Sequence, residues 1–94
     1  MKEHDFEIFL NKESLLSSAI STRIRHAKRA EKLLGIDLDN VVNDDDIMYE
    51  TLKKLKPKDS QSHSHMQNAV RKYYIFRNGK EFPRMNNYHS PKHP

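Results

Sequence analysis

The segment from about Ser18 to Leu34 constrains the fold of this chain more than any other. At the α-helical step of about 100° per residue, Ile20, Ile24, Ala27 and Leu34 fall within one narrow arc, with Ala30 at its edge. Arg25, Lys28, Arg29 and Lys32 fall on the other side. Gly35 follows at once, where a left-handed C-terminal cap needs a residue without Cβ. The spacing predicts an amphipathic helix whose apolar stripe has to be covered by the rest of the chain.

Three further segments carry the same period, and none has the sustained alternation of a strand. "HDFEIFLNK" puts Phe6, Phe9 and Leu10 on one side of a short helix, with Asp5 as a candidate cap. Asn11 to Ser17 reads as a break, and Ser17 and Ser18 offer N-caps to the helix that follows. "IDLDNVVNDDD" reads as a connector whose Ile36, Leu38, Val41 and Val42 dip into the core. A third helix starts near Asp44 to Asp46, where carboxylates cap free amides and complement the helix dipole. Its buried stripe is Ile47, Met48, Leu52 and Leu55; Lys53, Lys54 and Lys56 sit at its end, and Pro57 stops it.

"KPKDSQSHSH" is a polar loop in which Ser62 or Ser64 can cap a fourth helix running to about Arg77. Met66, Ala69, Val70, Tyr73 and Phe76 share one face of that helix, while Asn68 and Arg71 point away. Tyr74 falls at the boundary. Gly79 ends this helix as Gly35 ends the second, and Phe82 is placed as a last core contact.

With 94 residues, 35% of them hydrophobic, the chain has enough apolar surface for one small domain and little to spare. A core of that size suits short helices better than a sandwich or an α/β sheet. The expected fold is therefore all-α: a compact orthogonal bundle of four short helices over residues 1–83, with a flexible tail or linker over 84–94.

Cysteine is absent, which removes disulfides, thiol chemistry and cysteine zinc sites. No run approaches the roughly 20 apolar residues of a membrane helix. The opening "MKEHDFEIF" has acids where a signal peptide is apolar. These features predict a soluble, cytoplasmic protein without membrane contact, monomeric in isolation.

Charge is unevenly placed. Residues 1–34 hold seven Lys or Arg against five Asp or Glu, residues 35–59 four against seven, and residues 60–94 six against one. The balances are +2, −3 and +5, returning the net +4. Two basic blocks flank an acidic middle, so an anionic partner is expected at the ends of the chain.

Sites for chemistry are few. His63 and His65, with His89 and His93, invite a metal, but zinc needs three or four convergent ligands, and these histidines read as solvated loop residues. Asp44 to Asp46 read as a helix start rather than a magnesium site. Asp37 and Asp39 lack the Gly and the closing Glu of a calcium loop. No phosphate-binding Gly-rich loop and no nucleophile elbow is present. The reading is of a non-enzyme with no cofactor and no metal.

The second helix is the better candidate. Its five Lys or Arg face one acid, Glu31, which is too few for a face laced with compensating pairs. A basic helix beside a second basic helix suits a DNA backbone. On the fourth helix, Gln67, Asn68, Arg71 and Lys72 can hydrogen-bond base edges or phosphates. The free amides near Ser62 to His65 are a candidate phosphate site. Arg77, Lys80 and Arg84 extend the positive track.

At this point the chain resembles the N-terminal SAM-like core-binding domain of tyrosine recombinases, the phage integrase family. The residues that carry the likeness are Phe6 to Leu10, the Ser-opened "LLSSAISTRIRHAKRAEKLLG", and the late "NAVRKYYIFRNGK". They span about residues 5–80. The family's second helix often has an aromatic near its middle, where this chain has Arg25 and His26.

The resemblance implies a module that clamps duplex DNA through its second and fourth helices, opposite a separate catalytic domain. By position, Ser21, Arg25, Lys28, Arg29, Arg71 and Lys72 are the contacts it implies. To these the residues' own chemistry adds Lys32, Gln67, Asn68 and Arg77. Tyr73, Tyr74 and Tyr88 lack the Arg and His motifs that surround the family's nucleophile.

The expectation is a non-catalytic DNA-binding module, the core-binding domain or a fragment of an integrase-like protein, with double-stranded DNA and a downstream catalytic domain as partners. "NGKEFPR" also looks similar to DNA-binding segments ahead of restriction or HNH-type nuclease domains, which gives one alternative. A helical protein-interaction domain, docking through Asp37 to Asp46, is the other.

Overall fold

The computed structural model describes residues 1–13, 15–59 and 63–90. Their α-helices are α1 Glu3–Lys12, α2 Ser17–Leu34, α3 Leu38–Val42, α4 Asp45–Leu55 and α5 His65–Asn78. Short 3-10 turns occupy Lys56–Lys58 and Met85–Asn87, and no strand occurs among the described residues. The all-α bundle expected from periodicity is what forms.

α5 is the axis of the bundle, because α1, α2, α3 and α4 all pack against it. This explains how two adjacent tyrosines are both buried. Tyr73 faces α1 and α3: its ring meets Phe6 edge-on at 5.0 Å, and its hydroxyl accepts from the Lys2 amide at 2.8 Å and donates to Asp39. Tyr74 faces α4 and the C-terminal segment, donating to Asp45 Oδ1 at 2.8 Å and meeting Phe82 at 5.2 Å. A buried phenol stripped of its partner would cost about 1–3 kcal/mol, so these acids are part of the core's design.

The local signals explain most element ends. Gly35 and Gly79 have φ of 63° and 72°, and their amides donate to Glu31 O and Ile75 O. Asp44 caps α4, accepting from the Asp46 amide at 2.9 Å and the Ile47 amide at 3.3 Å.

Several expectations are corrected. The stretch expected as a connector contains α3, capped by Asp37 through the Asp39 amide at 3.0 Å. Leu38, Val41 and Val42 are buried as expected, and Ile36 packs partly against them. Ser17 and Ser18 lie inside α2, whose N-cap is Leu16, and Asp5 lies inside the first turn of α1. Ile47 is 46% exposed; its place in the buried stripe of α4 is taken by Thr51, whose hydroxyl donates to Ile47 O at 2.7 Å. A hydroxyl tolerates that interior position because the carbonyl one turn back accepts it.

The C-terminal stretch packs as far as Ser90. Phe82 is buried, and Tyr88 stacks on Tyr49 at 5.2 Å while donating to Asp46 Oδ1 at 2.5 Å. Ser62, offered as a cap, and His93, offered as a ligand, lie outside the described residues.

Candidate nucleic-acid interface

The outer face of α2 carries Ser21, Arg25, Lys28, Arg29 and Lys32, all exposed. Arg25, Arg29 and Lys32 make no ion pair with any described residue. Lys28 reaches Glu3 Oε1 at 2.6 Å, with both side chains about half exposed. Water and salt screen a pair of that kind, so Lys28 remains exchangeable.

Glu31 is the only acid on α2, and it faces inward. Its Oε2 accepts from the Leu38 amide at 3.0 Å and lies 3.4 Å from the Met1 amino group. Most acids of the middle segment are engaged away from the outer face of α2, whereas Asp59 shares a cleft with His26 and Arg29. Asp37 and Asp39 lie 3.1 and 3.5 Å from that amino group, while Asp39, Asp45 and Asp46 accept from the phenols of Tyr73, Tyr74 and Tyr88. Across α2 and α1, Glu3 and Glu7 share a cleft of about 350 Å³ with Ser21, Arg25 and Lys28. With Asp59, which shares a cleft with Arg29, they border the basic face.

The cations of α5 are placed differently. Arg71 is half-buried and donates to Phe82 O at 3.0 Å and Pro83 O at 3.1 Å, with its guanidinium over the Phe82 ring. Burial, with Arg84 nearby, pulls it below the ordinary arginine range. Lys72 pairs with Glu13 at 3.1 Å. Arg77 lies over Phe76 with its Nε 3.7 Å from Asp39. Gln67 donates to Asp59 from both its amide and its side chain. Of the α5 candidates only Asn68 is exposed with no such engagement, at the cleft between α5 and α2.

The ten residues singled out from sequence therefore separate. Six, the five on α2 and Asn68, lie on or beside one face. Arg71, Lys72 and Gln67 each bond to another segment, and Arg77 is exposed with its Nε 3.7 Å from Asp39. The start of α5 is also occupied: Asp59 accepts from the Met66 amide at 2.9 Å and the Gln67 amide at 3.1 Å. The amides expected to hold a phosphate thus have a carboxylate already, and Ser64 makes no side-chain cap bond.

Sequence reasoning missed Arg23, His26, Lys58 and the placement of His65. Arg23 and His26 are three apart on α2 and face α5; helical spacing shows that they share a side, but not which helix covers it. The His26 and His65 rings stack at 4.7 Å and 10°, and His63 continues the stack at 5.0 Å. His26 Nδ1 is buried without a hydrogen-bond partner among the described residues. Burial, then His65, Arg25 and Arg29, push the His26 pKa down. Among the described residues no three His, Asp or Glu are placed to hold a metal ion. Nor is any described helix long and apolar enough to cross a membrane.

Comparison of the chain with protein-family models, curated proteins and solved structures returned no match.

Proposed function

We propose that this chain is a non-catalytic, cytoplasmic module that binds duplex DNA through the outer face of α2, with Asn68 of α5 at its border. The observation that carries the reading is the set Arg25, Arg29 and Lys32. These are three exposed cations on successive turns with no acidic partner among the described residues, while the helix's own acid is turned inward. Cations left unpaired on one rigid face can neutralise phosphates and so release the counterions condensed on the duplex. The likeness to the recombinase core-binding domain supports the same role, with catalysis supplied by another domain of the parent protein.

The protein-docking alternative draws less support, because Asp39, Asp45 and Asp46 accept internal phenols. Titrating labelled duplex DNA at a series of salt concentrations tests the proposal. Affinity should fall steeply as salt rises, with a log–log slope of about −2.7 to −4.5 for three to five phosphates engaged. Binding that is absent at low salt, or indifferent to salt, rejects it.

A further inference from the structure

Two clefts are each lined by the stacked imidazoles of His26 and His65. The first, about 320 Å³, lies between α2 and α5, where Ser18, Thr22, Arg23 and Asn68 join the two histidines. The second, about 310 Å³, adds Arg29, Lys58 and Asp59 to the same pair. Every polar group lining the first cleft can donate a hydrogen bond, and no carboxylate lines it. In the second, Asp59 is the one acid, and both its oxygens already accept from the start of α5. His26 Nδ1 is buried and has no hydrogen-bond partner among the described residues.

We propose that these clefts are seats for phosphates of the nucleic-acid backbone, and that His26, stacked on His65, takes up a proton as the phosphates enter, so that affinity rises as pH falls. The inference rests on the DNA-binding reading above.

The charged and titratable groups around the pair explain the coupling. α2 presents Arg23, Arg25 and Arg29; the end of the α4 segment presents Lys58 and Asp59; the approach to α5 presents His63. All but Asp59 are cationic or neutral, so without a ligand the field opposes an imidazolium. Two parallel rings 4.7 Å apart also oppose each other's charge. A phosphate in either cleft reverses the local field, and an imidazolium donates from both nitrogens where the neutral ring donates from one. Binding and protonation then favour each other.

The test has two arms. In the first, duplex DNA is titrated at about pH 6 and about pH 8, at fixed salt, against the native chain, His65→Asn and the His26→Asn/His65→Asn double variant. The native chain should bind about tenfold tighter at the lower pH, and the double variant no more than about twofold. His65 is exposed, so its single variant keeps the fold and should show an intermediate ratio. An unchanged ratio in the double variant places the proton uptake on other histidines and overturns the inference. Salt-sensitive binding with no pH dependence overturns it while leaving the DNA reading intact, and no binding at either pH removes both. In the second arm, inorganic phosphate replaces DNA and ring-proton NMR is followed. The His26 and His65 signals should move and those of His89 should not; equal movement in all three overturns the seats.

Discussion

Glu31 turns its carboxylate onto the Leu38 amide, 3.0 Å away, and so the only acid of α2 serves the core rather than the basic face. The bond also tethers α2 to the start of α3 across the Gly35 turn. Replacing Glu31 with alanine should leave that amide unpaired and lower stability by about 1–2 kcal/mol in urea unfolding. Glutamine keeps an acceptor and should lose less than half as much. Equal losses would mean that the charge, not the hydrogen bond, is what matters.

The phenols make stability fall in alkali. Burial, then the bond to Asp45, pushes Tyr74 up from 10.0 to about 12, and burial with Asp39 raises Tyr73 as well. An acid whose folded pKa is raised keeps its contribution below the unfolded value and loses it as pH climbs through the folded one. Stability should therefore decline between pH 10 and about 12. Tyr74→Phe should reduce that slope, and urea midpoints across the window will show whether it does.

Asp59 reaches forward to cap a helix that begins six residues later. Asp59→Ala should cost about 1–2 kcal/mol and fray the first turn of α5, visible as faster amide exchange at Met66 and Gln67. Exchange there at the native rate would show the cap to be dispensable.

His26 should make stability fall in acid. Its folded pKa lies below the ordinary 6.5, so its contribution is present above that value and is lost as pH falls through it. Urea midpoints should drop below pH 6.5, and His26→Leu should flatten the drop by removing both the proton site and the buried Nδ1. An equally steep limb in the variant would assign the effect elsewhere.

Local chemistry was legible in the sequence and long-range chemistry was not. Gly35, Gly79 and Asp44 announce helix ends because each acts on backbone within a few residues. α3 was hidden, since five residues are too few to display a period. Tyr74 read as a boundary residue because spacing gives one buried arc, whereas α5 is covered by four helices. At the candidate site the α2 face was readable, for its cations and its lone acid share one helix. The engagement of Lys72 with Glu13, Gln67 with Asp59 and Arg71 with the Phe82 carbonyl was not. Each partner comes from another element, and no spacing rule brings them together.

The central claim is that the unpaired cations of the α2 outer face hold DNA, and charge reversal tests it most directly. Arg25→Glu/Arg29→Glu changes two exposed side chains far from the apolar arc, so thermal unfolding should match the native chain. Duplex affinity at low salt should fall by at least about 30-fold, and the log–log salt slope should shrink by about two. A correctly folded double variant that binds duplex DNA within about twofold of the native chain, with an unchanged salt slope, would contradict the account.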